Sequence, residues 1–192
     1  MNLTTEQHKK LTDMYPYLLP RNVWTGEELE NYDYSWIVGE SELPQGWFRL
    51  FLLYCKNIKH ALADSNWIDR FMFTQVKEKY GTMRLYNNGA PEYIHRMTMC
   101  YEQYSTNICE RCGSIATVET KGWISSLCDE CDLTHNPYQT TPLIQRHFAG
   151  YSSYDVKQKY EYGVYYSLKE IDKEYKQTMT LSDEEFIHYI LN

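Results

Sequence analysis

Cys109-Glu110-Arg111-Cys112 and, after the fifteen residues 113–127, Cys128-Asp129-Glu130-Cys131 decide the architecture of this 192-residue chain. Two Cys-x-x-Cys pairs let four thiolates meet at the corners of a tetrahedron, about 2.3 Å from a Zn2+ ion. Each two-residue loop turns backbone amides towards the sulfurs, and Gly113 permits the tight turn after the first pair. Between the pairs, residues 115–118 and 123–127 are strand-like, with Glu119-Thr120-Lys121-Gly122 as the reverse turn. The expectation is a zinc ribbon, two knuckles closed by a hairpin, holding one ion. Four thiolates leave no coordination position for water or substrate, so the ion is structural rather than catalytic. His135, four residues after Cys131, is the alternative ligand nearby.

Charge argues about what such a ribbon faces. Residues 105–135 carry two cations, Arg111 and Lys121, against the carboxylates of Glu110, Glu119, Asp129, Glu130 and Asp132, a net −3. The whole chain holds 19 Lys and Arg against 26 Asp and Glu, a net −7. Binding to phosphates is driven by Lys and Arg displacing counterions, so a general nucleic-acid coat is not expected. An acidic ribbon suits a protein-facing surface better.

The remaining cysteines agree with a reducing location. The first ten residues are polar and contain no apolar signal segment. The longest apolar stretch, residues 47–55, is interrupted by Arg49 and is far short of the roughly 20 residues a membrane span needs. No membrane association is expected, and a cytoplasmic chain keeps its thiols reduced. Cys55 and Cys100 fall on apolar helical faces and read as core thiols.

Outward from the ribbon, the fold class reads as α+β: a mixed core over 1–104, the embedded four-cysteine zinc ribbon over 105–135, and a helical C-terminal region over 136–192. Residues 5–14 suit a short helix with Thr4 or Thr5 as N-cap, stopped by Pro16 and Pro20. Residues 21–43 have no clean period, with one strand expected over 34–38. Pro44 can open a helix, and Phe48, Phe51, Leu52, Cys55, Ile58 and Leu62 then recur at three and four, as on a buried helix face. Residues 67–86 read two ways. Ile68, Phe71, Met72, Val76 and Tyr80 fit a helix ended by Gly81, while the β-rich run FMFTQV, a turn at Lys79-Tyr80-Gly81 and a strand from Thr82 fit a hairpin. Asn87-Asn88-Gly89 makes a turn, and Pro91 opens a helix with Ile94, Met97, Tyr101 and Tyr104 on one face. A long helix is expected from Ser152 or Ser153 to about Tyr175, and Ser182-x-x-Glu185 is a capping box for a last short one.

Two further surfaces are candidates for partner binding. Lys77, Lys79 and Arg84 form a basic patch able to hold an anion or an acidic partner. Tyrosine is abundant, with 19 in all, and its polarity explains a mean hydropathy of −0.62 at 43% apolar residues. Eight tyrosines fall in 151–192, in a segment that is again −3. Tyr160, Tyr162, Tyr165 and Tyr166 are the ones expected to dock a basic protein groove, since Tyr brings large contact area at low entropic cost. The enzymatic alternatives find little support. The six histidines are scattered, no Gly-rich phosphate loop is present, and Glu119-x-Lys121 lacks the close upstream Asp of a metal-dependent nuclease motif.

The run QVKEKYGTMRLY over 75–86, followed by Cys109-Glu110-Arg111-Cys112-Gly113 and by Gly122-Trp123 ahead of the second cysteine pair, resembles a family of small phage and prophage proteins. Those proteins carry a KEKFG-x-LRFY segment ahead of a zinc ribbon. The resemblance covers roughly residues 67–131, with Tyr80 in place of Phe and Met83-Arg84-Leu85-Tyr86 for the LRFY part. It brings no activity with it. It implies a mobile-element setting, in which small acidic proteins work by occupying a host protein. Three functional classes are therefore expected, in this order: a non-catalytic zinc-ribbon protein that binds a protein partner such as a host defence or nucleic-acid enzyme and inhibits it; a nucleic-acid-binding regulator that uses the ribbon and the basic patch; and a hydrolase with a site the sequence does not display.

Overall fold

The computed structural model describes residues 3–19, 21–22, 24–28, 43–63, 65–88, 90–135, 138–143 and 168–192. The strand expected over 34–38, the first part of the long helix expected from Ser152, and Tyr160, Tyr162, Tyr165 and Tyr166 lie outside them. The described elements are helices and two small antiparallel sheets, an α+β protein.

At its centre is α2, Phe48–Leu62, entered through a 3-10 turn over Gln45–Trp47 after Pro44. Eleven of its fifteen residues are buried, including Leu50, Leu52, Leu53 and Tyr54 besides the expected apolar stripe. A helix apolar on nearly all sides must be enclosed on nearly all sides. Enclosure comes from α3, Glu92–Ser105, from α5, Leu168–Met179, and from α6, Asp183–Leu191, with α1, Thr5–Met14, against α6. Thr4 caps α1 in a box with Gln7, and Ser182 caps α6 in a box with Glu185, each satisfying amides the first helical turn leaves without a partner. Arg49 joins the far ends, donating to the Thr178 carbonyl in the last turn of α5 at 2.6 Å, to the Leu181 carbonyl beyond it at 3.0 Å and to Asp183 at the start of α6 at 2.7 Å.

The tyrosines are built into this core by their hydroxyls. The Tyr15 hydroxyl donates to the Ile190 carbonyl and that of Tyr17 to the Cys55 carbonyl. Tyr54 meets Thr98 at 2.5 Å, and the Asn57 amide donates to Tyr101 at 2.6 Å and to Glu174 at 2.9 Å. Each ring contributes apolar area while its polar tip stays bonded, which is how a tyrosine-rich chain forms a core at low hydropathy.

Residues 67–86 resolve as the hairpin. Strand β1, Phe73–Lys79, pairs antiparallel with β2, Thr82–Asn87, with Lys77 opposite Arg84 and Lys79 opposite Thr82. The two-residue turn has Tyr80 at φ 55° and Gly81 at φ 69°. Two consecutive positive φ values give the turn whose twist matches a hairpin. The amides on the outer edge of β2 are closed by α3: Met83 donates to the Ser105 hydroxyl at 2.9 Å and Leu85 to the Glu102 carboxylate at 2.7 Å.

The second sheet belongs to the cysteine module and runs β4, Ser126–Leu127, β3, Val118–Thr120, then β5, Thr140–Pro142. Its strands are shorter than expected, and its third strand comes from beyond the second cysteine pair, an edge position where proline is tolerated. Between β4 and β5 lies α4, Asp129–His135.

Candidate metal centre

The first knuckle is a backbone device. Ile108 bridges to Ile115, the Cys109 amide donates to the Ser114 carbonyl at 2.7 Å, and the Gly113 amide returns to the Cys109 carbonyl at 2.9 Å. Gly113 sits at φ 83°, a conformation that favours glycine. Cys128 directly follows β4 and Cys131 lies in the first turn of α4, where the Asp132 amide donates to the Cys128 carbonyl at 2.9 Å. The two knuckles are tied to each other by the Glu110 amide on the Ser126 carbonyl, 3.0 Å, and by the Thr117 amide on the Leu127 carbonyl, 2.8 Å.

This framework brings the sulfurs of Cys109, Cys112, Cys128 and Cys131 within 4.8 Å of one another, a group that could hold a metal ion. The Cys112 and Cys128 sulfurs are 3.6 Å apart, far beyond a disulfide bond. A tetrahedron with metal–sulfur arms of about 2.3 Å has edges of about 3.8 Å, so the donor set fits a four-thiolate site. Cys109, Cys128 and Cys131 are buried and Cys112 is exposed. Burial and the neighbouring thiols push the Cys131 thiol far up, and burial raises that of Cys109. At Cys112 burial acts in the same sense, but hydrogen bonds from Ser114, Cys109 and Cys128 outweigh it and bring the thiol down to about 7. Cys109 and Cys131 thus resist ionisation while Cys112 loses its proton more readily, and a bound cation would offset the cost of gathering thiolates here. The His135 side chain lies outside the described set.

Three contacts not legible in the sequence seat this module in the core. A side-chain carbon on Gly46 would fall 2.1 Å from the Cys109 carbonyl oxygen, and the Gly46 amide donates to the Glu110 carbonyl at 2.8 Å. Beside it the Trp47 indole, fully buried, donates to the Ile108 carbonyl at 3.0 Å. From α5 the Tyr175 hydroxyl donates to the Gly113 carbonyl at 2.7 Å. A fourth approach joins the hairpin tip to the ribbon turn, where a side-chain carbon on Gly81 would lie 2.9 Å from the Ile124 Cγ2. Only Gly46-Trp47, directly ahead of an apolar helix, hinted at such close packing.

Of the expected partner residues, Lys77, Lys79 and Arg84 come together on the hairpin, with Arg84 also 3.3 Å from Glu102. Among the eight C-terminal tyrosines, Tyr175 is core and Tyr189 is half-buried, its hydroxyl on Glu174 at 2.9 Å. The large exposed apolar and aromatic side chains near the ribbon include Tyr80, Ile115, Trp123, Leu133 and Tyr138. No helix among the described residues is long and apolar enough to cross a membrane. No protein-family model, curated protein or solved structure matches the chain.

Proposed function

We propose that this chain is a non-catalytic zinc-ribbon protein of phage or mobile-element type that works in a reducing cytoplasm by binding, and thereby inhibiting, a protein partner such as a host defence or nucleic-acid enzyme. The zinc ion is closed in by four thiolates and serves the fold. The observation that carries the reading is that Tyr80 and Trp123, 66% and 67% exposed, each adjoin in sequence the contact where Gly81 of the hairpin tip seats on Ile124 of the ribbon turn. Other large aromatic rings of the described residues, Trp47, Tyr54, Tyr101 and Tyr175, are fully enclosed, while Trp24 and Tyr138 are also exposed. Trp and Tyr dominate interface hot spots, and a rigid scaffold that displays both presents them without ordering cost.

The test is affinity capture by the tagged chain from nuclease-treated bacterial lysate, with Trp123→Ser and Tyr80→Ser as matched baits. The reading expects one stoichiometric protein on the wild-type bait, lost from both variants while each keeps its metal. An eluate free of protein, with nucleic acid recovered only from untreated lysate, would replace it with a nucleic-acid regulator acting through the basic hairpin.

A further inference from the structure

The hairpin and α3 enclose an open cleft of about 540 Å³ whose chemistry differs from the rest of the chain. Its walls are Lys79, Tyr80, Arg84 and Tyr86 from the hairpin and His95 from the helix, over Met99. Lys77 stands at its rim, with its ammonium 5.7 Å from the Tyr86 ring centre, and the Lys79 ammonium is 5.4 Å from that of Tyr80. One carboxylate lines the cleft, Glu102, and it is engaged by the Leu85 amide at 2.7 Å and by Arg84 at 3.3 Å. Lys77 and Lys79 have no carboxylate within ion-pair distance among the described residues. In a chain of net −7 this is a local reversal of sign.

Two features are costly unless an anion is bound there. Lys77 lies directly across the strand pair from Arg84, and like charges so placed repel. Tyr80 holds a left-handed φ of 55° where glycine or asparagine would be at ease, and in doing so presents its ring at the mouth of the cleft. We propose that this cleft takes an acidic segment of the partner protein, its carboxylates on Lys77, Lys79 and Arg84 and an apolar or aromatic side chain between Tyr80 and Tyr86. The proposal rests on the protein-binding reading and specifies its chemistry. A peptide is favoured over a nucleic acid because the cations are three and the ribbon docked at the hairpin tip is net −3. A polyanion leaving the cleft meets that field within a screening length of about 8 Å, whereas a peptide carries charge only where its carboxylates lie. The buried Leu85 and the half-buried Met99 beneath the walls add an apolar floor that a phosphate backbone would not use.

The experiment titrates the full metal-loaded, 15N-labelled chain with a synthetic dodecapeptide of alternating Glu and Phe and, separately, with a twelve-nucleotide oligothymidylate. The peptide should perturb amides of residues 77–86 and 95–102, with affinity falling about tenfold between low and threefold-physiological salt. In the surface double variant Lys77→Glu/Lys79→Glu, whose metal content and circular dichroism should match the wild type, that affinity should fall at least tenfold. Absence of perturbation at these residues, perturbation confined elsewhere, or tighter binding by oligothymidylate in the cleft would each overturn the proposal. A natural partner lost with Trp123→Ser yet retained by Lys77→Glu/Lys79→Glu would remove the cleft and leave protein binding standing.

Discussion

Single atoms at Gly46 and Glu102 set conditions that neighbouring elements must obey. Gly46 has no room for a side chain because the Cys109 carbonyl oxygen occupies it, at 2.1 Å from where a carbon would sit. Gly46→Ala must therefore displace backbone at the first knuckle, and it should lower unfolding free energy by about 2–4 kcal/mol. Gly122 is the control: it has open space around it and only its φ of 88° to satisfy, so Gly122→Ala should cost about 1 kcal/mol. Urea midpoints followed by tryptophan fluorescence rank the two, and equal losses would contradict the close seating of the knuckle. Glu102 tests the electrostatics of the cleft. Burial raises its carboxyl above the ordinary 4.5, ahead of the lowering by the Leu85 amide and Arg84. A folded state that holds its proton more tightly than the unfolded chain has that share of stability below the ordinary value and loses it as pH rises through the folded one. Glu102→Gln keeps an acceptor for Leu85, so the variant should gain on the wild type between about pH 4 and pH 7. Urea midpoints at both pH values read the difference, and a constant gap would contradict it.

Elements were legible wherever one signal dominated. The Ser182–Glu185 capping box, an N-cap at Thr4, the apolar stripe of α2 and the proline ahead of α3 were written in the chain and formed as read, while the box between Thr4 and Gln7 emerged only in the structure. The hairpin was not decidable, and a bulge is the reason. Between Phe73 and Gln75 the register slips by one residue, so the buried positions of β1 are Phe73 and Val76, three apart. An inserted residue turns the strand period of two into a helical spacing, and Gly81 has positive φ in either reading. Short strands of the ribbon left a faint trace, and β5 leaves none because a three-residue strand ending in proline reads as a loop. The hairpin turn yields its own prediction. Tyr80→Asn places a residue tolerant of left-handed φ in the turn and should raise stability by about 0.5–1 kcal/mol, while weakening partner capture. Thermal unfolding beside the affinity assay checks both signs. A destabilised variant would mean that the Tyr80 ring contributes to the fold instead of being held out for a partner.

At the scale of the molecule, the cysteine spacing disclosed the four-thiol cluster that could hold a metal ion but not its place in the architecture. Four ligands in two pairs are a sequence pattern; their seating on Gly46, Trp47 and Tyr175 is a property of the packed chain. These contacts draw on the turn before α2, on α5 and on the hairpin tip, so the ribbon, whose buried Cys109, Leu127, Cys128 and Cys131 form a small cluster of their own, is docked against the core that encloses α2. The surface proposed for a partner was half legible. Lys77, Lys79 and Arg84 stood out by charge, while the exposed Tyr80 and Trp123 lie far apart in sequence and only the contact of their neighbours Gly81 and Ile124 relates them. The central claim, that a closed four-thiolate zinc centre holds ribbon and core as one cooperative unit, is tested most directly by thermal unfolding read at near-ultraviolet circular dichroism of the buried Trp47 environment, with and without a strong chelator. The account predicts a single transition in the zinc-loaded chain and loss of the Trp47 signal together with ribbon structure once zinc is withdrawn, because metal binding contributes folding free energy. A Trp47 transition that persists at the same temperature after zinc is removed would contradict it.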